Sequence, residues 1–261
     1  MLQSVGNEHD DQFESGQANS IEALVAARND GRKHLLLAAS GSVATIKIPV
    51  IVAALAKYES TLSIRIVLTE PATHFLGGQS TEQPTVSSLL NLPNVDAVYR
   101  DRDEWGPRPW RRGASILHIE LRRWADLLVV APLSANTLAK VVNGMSDNLL
   151  TSIIRAWDTD ASIDMKKKII LVAPAMNSAM WRHPVTEKQI QVLTDDWGVK
   201  EEAVGAAGEA RAIVGWFKVI APISKTLACG DTGDGAMASV ESICAAIEQN
   251  LNLVTTGELL E

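Results

Sequence analysis

Three side chains in this sequence are of kinds that do chemistry, and each stands beside small residues or proline. His118 lies in Leu117-His-Ile-Glu-Leu-Arg-Arg-Trp-Ala-Asp126, Asn177 closes Ala173-Pro-Ala-Met-Asn177, and Cys229 lies in Leu227-Ala-Cys-Gly-Asp-Thr-Gly-Asp-Gly-Ala-Met237. An imidazole titrates at about 6.5 and trades protons at neutral pH. A carboxamide can hold a carboxylate or an amide. A thiol of ordinary pKa, about 8.5, is mostly protonated at pH 7 and can act as an acid. Gly230, Gly233 and Gly235 give the stretch around Cys229 the pattern of a mobile flap. Each residue also has a plainer reading. His118 can be a structural histidine among apolar neighbours, Asn177 a helix cap, and Cys229 an inert buried thiol.

Two further segments could hold a ligand. Ala39-Ser-Gly-Ser-Val43 is a Gly/Ser turn between an apolar run and a helical pattern. Such turns leave N–H groups free, and the helix dipole favours an anion there. With Gly41 alone the GxGxxG fingerprint is missing, so a mononucleotide or another phosphate ester fits better than a dinucleotide. Capping by Ser40 or Ser42 is the competing account. In Pro132-Leu-Ser-Ala-Asn-Thr137, Ser134, Asn136 and Thr137 are dense in hydrogen-bonding groups, and Ala135 lets a flat ligand approach. Here too a simple cap competes. No metal site is expected, because His9, His34, His74, His118 and His183 lack ligand spacing and no CxxC occurs. GxSxG is also absent, which argues against a Ser-His-Asp hydrolase.

The elements that must position these residues alternate between strand and helix. Lys33–Ala39 is a continuous apolar run, the mark of a strand buried on both faces. A helical pattern follows from Val43 to Lys57, with Pro49 expected to kink or divide it. Leu62–Leu68 reads as a second strand, after which Thr69 opens a short helix. Val95–Tyr99, Asp126–Ala131, Ile169–Ala173 and Val219–Ala221 read as further strands. Helices are expected at Ala135–Asn143, Asn148–Trp157, Pro184–Asp195 and Val240–Asn250. Repeated βα units of this kind imply an α/β fold, a single Rossmann-like or flavodoxin-like domain whose parallel sheet is flanked by helices. Asp158–Lys168 reads as a polar surface loop, and Lys200–Val214 as a flexible insertion or a short extra helix. Residues 1–30 read as a mostly disordered tail with a short helix at Ile21–Arg28. The domain is expected over 31–252, with a short tail at 253–261.

Composition narrows the function. Hydrophobic residues make up 46% of the 261, enough for a sizeable core, and the formal net charge is −7. That charge disfavours broad attraction to nucleic acid or to anionic membranes. Two cysteines are too few for a disulfide scaffold and fit a reducing, cytoplasmic setting. No apolar run reaches the roughly 18 residues of a membrane span.

Taken in order, SGSVA, HIELRRWAD, APLSANT, DNLL, APAMN, MW and LACGDxGxGAM resemble the 4′-phosphopantothenoylcysteine decarboxylases of the homo-oligomeric flavin-containing cysteine decarboxylase family. The likeness runs from about Lys33 to Ile247. It implies FMN as cofactor and decarboxylation of 4′-phosphopantothenoylcysteine to 4′-phosphopantetheine and CO2, a step of coenzyme A synthesis. It matches His118 to the family's base, Asn177 to the residue that holds the substrate's carboxylate or amide region, and Cys229 to a proton donor on the flap. Met180 and Ala228 join Asn177 and Cys229 as substrate contacts. Gly41, Ser42 and Val43 match the loop on the FMN phosphate side, and Thr69 a second FMN-contacting turn. Ser134, Ala135, Asn136 and Thr137 match the loop against the flavin, and Ala175 shares that pocket. The resemblance further implies a homotrimer whose sites combine neighbouring subunits, with Trp105 and Trp110 in the region that covers the flavin from another chain. Two alternatives remain: a non-enzymatic subunit that inhibits a protein phosphatase, and a component of a hetero-oligomeric decarboxylase. Thr232 departs from the pattern, since many relatives carry an aromatic residue there.

Overall fold

The structure is a computed structural model that describes residues 19–105, 109–204, 210–226 and 232–253. Its frame is a six-stranded sheet. In chain order the strands of the first half are β1 (Lys33–Ala39), β2 (Leu62–Leu68), β3 (Gly77–Ser80), β4 (Gln83–Thr85), β5 (Val95–Arg100) and β6 (Leu127–Leu133). Those of the second half are β7 (Ile169–Pro174), β8 (Lys200–Val204), β9 (Ala210–Val214), β10 (Phe217–Val219), β11 (Ile223–Thr226) and β12 (Thr232–Ala236). The sheet order is β10-β7-β6-β1-β2-β5, and all its pairings are parallel. The remaining strands form three antiparallel hairpins, β3–β4, β8–β9 and β11–β12.

The chain builds β1, β2 and β5 outward to one side, then returns to place β6 on the other side of β1. This is the strand order of the doubly wound dinucleotide-binding fold. Its ligands lie at the carboxyl ends of the two strands where the order reverses. Here those strands are β1 and β6, in register from Leu35 opposite Leu127 to Ala38 opposite Val130.

Both faces of the sheet are covered, and the pleat divides β1 between them. Leu35, Leu37 and Ala39 face one core, with α2 (Ile48–Ala54) and α9 (Val240–Leu251). Leu36 and Ala38 face the other, with α1 (Ile21–Ala26), α4 (Leu117–Trp124), α5 (Ala135–Val142) and α6 (Leu149–Arg155). A strand buried on both faces gains from apolar side chains at every position, which is why β1 reads as an unbroken run. α1 is part of this packing. Leu24 is fully buried, and the Arg28 guanidinium beyond the helix pairs with Glu120 of α4.

Several elements differ from expectation for identifiable reasons. The helix expected over Val43–Lys57 is a 3-10 turn at Val43–Lys47, then α2, then a second 3-10 turn at Ala56–Tyr58. The expected division falls at Pro49, which stands in the first turn of α2 and does not kink it, because there its missing N–H has no intrahelical partner to lose. The last sheet strand lies at Phe217–Val219, earlier than Val219–Ala221, since Phe217 is buried against Trp197 and Trp216. Where a flexible insertion or a short helix was expected over Lys200–Val214, the described residues form the antiparallel pair β8–β9, from Lys200 opposite Val214 to Val204 opposite Ala210. Its Ala, Gly and Glu content has weak strand propensity, so a hairpin that satisfies its own backbone groups leaves little trace in composition.

Candidate functional site

The crevice between β1 and β6 is tied together by Ser40. This fully buried residue donates its backbone N–H to the Pro132 carbonyl at 3.0 Å and its hydroxyl to the same carbonyl at 3.0 Å. Its Oγ also accepts from the Ser134 N–H at 2.8 Å. The turn after β1 and the Pro132–Ser134 segment, which begins with a cis Ala131–Pro132 bond, are thus one rigid unit. Gly41 lies against the turn after β2, where a Cβ would stand 2.6 Å from Pro71 Cβ. Ser42 caps the following 3-10 turn, with its Oγ accepting from the Ala44 N–H at 3.5 Å, and Val43 is exposed. Thr69 donates its N–H to the Ala39 carbonyl at 3.1 Å. Its hydroxyl is buried without a partner among the described residues. Ser134 is the N-cap of α5, Thr137 is buried behind it, and Asn136 is exposed between them.

Gly41, Thr69, Ser134, Asn136 and Thr137 line a cleft of about 240 Å³, whereas Ser42, Val43 and Ala135 are not in its lining. Clefts that enclose a small ligand hold roughly 300–1,000 Å³, so this one covers only part of such a ligand. Its far wall contains groups that the sequence reading passed over. Asp101, just after β5, accepts from the Glu70 N–H at 2.7 Å and the Leu149 N–H at 3.3 Å. Burial pushes its carboxyl above the usual range, against the pull of those two donors. Lys140 Nζ meets Asp147 Oδ2 at 2.6 Å, and that bond holds the Asp147 carboxyl below its ordinary value. Asp101 follows the end of a parallel strand, the same signal that marks Ser40, Thr69 and Ser134. Its strand was expected at Val95–Tyr99, but an Asp one residue past a strand end gives no hint of the two backbone N–H groups it meets across the fold.

A second group forms beyond β7. Ala175 is buried and donates its N–H to the Leu133 carbonyl at 2.9 Å, which joins it to the cleft's strand. Asn177 is exposed and caps α7 (Ser178–Trp181), with Oδ1 accepting from the Met180 N–H at 2.8 Å. Its NH2 has no partner among the described residues, so capping uses only half of the amide. Met180 is exposed nearby. The β11–β12 hairpin is seated on this helix. The Met176 N–H donates to the Gly235 carbonyl at 3.0 Å, and Arg182 pairs with Asp234 at 3.3 Å. Gly235 has φ +105°, and a Cβ there would meet the Met176 carbonyl oxygen at 2.8 Å. A Cβ on Gly233 would meet Ser178 Oγ at 2.4 Å. The base of the hairpin is therefore fixed beside Asn177, whereas Ala228 and Cys229 lie outside the described residues.

His118 is not part of the cleft lining. It sits in the first turn of α4, where its Nδ1 meets Glu104 Oε1 at 2.5 Å. The far end of that helix is anchored by buried Lys168, whose Nζ donates to the Arg122 and Arg123 carbonyls at 3.1 Å each and pairs with Asp164. Burial lowers the Lys168 pKa, with Asp164 opposing the shift. Trp105 and Trp110, on the segment between Glu104 and α4, are 67% and 54% exposed, unusual for residues of that size. No group of three or more metal-ligating side chains occurs among the described residues, and no helix there is long and apolar enough to cross a membrane.

Crevice, capped loops and hairpin define a nucleotide-type site on a doubly wound sheet. Residues 24–252 match the Flavoprotein family, to which the chain belongs. Within it, the chain is 42% identical to the phosphopantothenoylcysteine decarboxylase of Arabidopsis thaliana over 217 residues, 83% of this chain and 84% of that protein. A solved structure of a cysteine-to-serine mutant of PPC decarboxylase, complexed with pantothenoylaminoethenethiol, superposes with a TM-score of 0.65 at 40% identity. It covers 85% of this chain and 100% of that one. The FMN binding protein AtHal3 superposes with a TM-score of 0.61 at 40% identity, over 84% of this chain and 96% of that one.

Proposed function

We propose that this chain binds FMN and decarboxylates 4′-phosphopantothenoylcysteine to 4′-phosphopantetheine and CO2, a cytoplasmic step of coenzyme A synthesis. The observation that carries the reading is the β1–β6 crevice. It has a tight Gly41 turn, a buried Thr69 hydroxyl with no partner among the described residues, and exposed Asn136 at the switch point of a sheet shared with an FMN binding protein. These residues fit a flavin mononucleotide. The turn after β1 brings backbone close to a phosphate, Thr69 offers a hydroxyl, and the Ser134–Thr137 segment presents a small residue and an amide to a flat ring.

FMN, when bound, would supply reversible two-electron chemistry at the substrate's thiol-bearing carbon, whose oxidised form can take up the electrons left by a departing carboxylate. The chain supplies orientation and protons. Asn177 uses the NH2 that its capping role leaves over to hold the substrate's carboxylate or amide region, Met180 packs beside it, and Ala228 and Cys229 are the remaining substrate contacts of this reading. His118 accepts a proton, and Cys229 returns one. The assembly proposed is a homotrimer. Three features support it: the cleft covers only part of a ligand, His118 stands away from it, and Trp105 and Trp110 are exposed on the segment preceding α4. The direct test is to load the purified chain with FMN, remove free flavin, add 4′-phosphopantothenoylcysteine and measure CO2. Retained flavin with gas release is expected. A colourless protein that releases no CO2 would refute the reading.

A further inference from the structure

Glu104 has no counterpart in the chemistry assigned above, yet it is the residue that touches His118. Its side chain is 4% exposed and that of His118 is 19% exposed. Oε1 lies 2.5 Å from Nδ1, while Oε2 is buried with no partner among the described residues. An ionised carboxylate can only accept, so the proton in this contact sits on Nδ1. In a neutral imidazole the lone pair then belongs to Nε2. Nε2 makes no hydrogen bond to the described residues and is not among their sealed polar atoms. The carboxylate is placed by rigid backbone. The Glu104 N–H donates to the Asp101 carbonyl at 3.3 Å, and the Arg100 N–H donates to Asp103 Oδ2 at 2.7 Å, closing the turn that carries Glu104.

A latch that merely joined the two ends of the 105–116 segment would not need this chemistry. A carboxylate that gives up water on both oxygens and regains one donor is a costly latch. The same arrangement suits a base that must hold one tautomer and then carry a positive charge. We propose that Glu104 is a positioning residue for His118: it fixes the Nδ1–H tautomer, leaves Nε2 as the proton acceptor, and faces the imidazolium once it forms. In the reaction, the Nε2–H bond forms as the substrate's S–H bond breaks, and the bonding pair stays on sulfur. The inference rests on the decarboxylase reading for that step, but not for the tautomer.

The test is Glu104→Gln in the FMN-loaded protein. Gln can turn either its oxygen or its NH2 toward Nδ1, so it keeps the shape and loses control of the tautomer. Expected is a fall in kcat of roughly 10- to 1,000-fold, by analogy with other groups that orient a histidine. KM should stay within about threefold and flavin binding should be unchanged. Glu104→Asp should recover part of the loss. Nitrogen NMR of histidine-labelled wild type supplies a readout that a structural latch would not move. The signal lost in His118→Asn should report Nδ1–H in wild type and a shifted or mixed tautomer in Glu104→Gln. Wild-type kcat in Glu104→Gln, or an Nε2–H tautomer in wild type, would overturn the proposal. If Glu104→Gln does not fold, the wild-type spectrum still decides. A wild type that releases no CO2 but shows Nδ1–H would sink the decarboxylase reading and leave the pairing standing.

Discussion

At the scale of single residues, the cleft depends on where bulk is missing. Gly41 has less room than any ordinary Cβ contact allows, because the neighbour is the ring of Pro71 and cannot swing aside. Gly41→Ala should push the turns after β1 and β2 apart and weaken FMN binding at least about tenfold, read by titration of flavin fluorescence. Unchanged affinity would show that the turn does not approach the cofactor. Cys244 makes the opposite case, a thiol with no reactive role. It is buried in α9, and burial raises its pKa to about 11, well above the ordinary thiol range. The unfolded chain therefore loses this proton first, and stability should fall as pH rises from 9 toward 11. The loss contributed by this group should reach roughly 3 kcal/mol at most. Urea unfolding across that range should show a smaller decline in Cys244→Ala than in wild type. Equal slopes would contradict the burial argument.

At the scale of elements, strand ends and the hairpin set the geometry. The strands were legible because those buried on both faces must be apolar throughout, and Ser40, Thr69, Ser134 and Asn177 stand just past their ends. Asp101 and Glu104 were not legible. Their roles come from the turn after β5, which acts on α3 (Glu70–Thr73), α6 and α4 through space, and sequence spacing does not record such contacts. The β8–β9 hairpin escaped notice because its composition is poor in strand formers. The β11–β12 hairpin is where backbone shape carries function. Gly235→Ala would strain a position at φ +105° and press a methyl group on the Met176 carbonyl and on Trp181. The hairpin should lift from α7, costing about 1–3 kcal/mol of local stability. Turnover should fall more than tenfold while FMN stays bound, as measured by steady-state kinetics beside the flavin spectrum. Normal turnover would mean that the hairpin base is not what positions the substrate.

At the scale of the whole molecule, one sheet order explains why chemistry scattered over more than a hundred residues converges. The reversal between β1 and β6 makes the crevice, and β7 with its neighbouring hairpin makes the adjoining wall. The likeness of the sequence blocks to a decarboxylase family carried the cofactor and substrate, which no spacing rule could have supplied. The amino-terminal region holds the short helix expected at Ile21–Arg28, but that helix is packed on the core and is not part of a free tail. Leu24 is fully buried against the α4 side of the sheet, beside the Arg28–Glu120 pair. Leu24→Ala should cost about 3 kcal/mol in chemical denaturation. A change below about 0.5 kcal/mol would place α1 outside the cooperative fold.

In the proposed reaction electrons leave the substrate and return to it within one turnover, so that carboxylate is lost with no net oxidation. The measurement that tests it most directly uses 4′-phosphopantothenoylcysteine labelled with carbon-13 in the carboxylate, offered in excess to the FMN-loaded protein without oxygen. Labelled CO2 and 4′-phosphopantetheine are expected in equal amounts over many turnovers, with the flavin oxidised at the end. Unlabelled gas, no gas, or a reaction that halts with one CO2 per flavin and the flavin left reduced would contradict it.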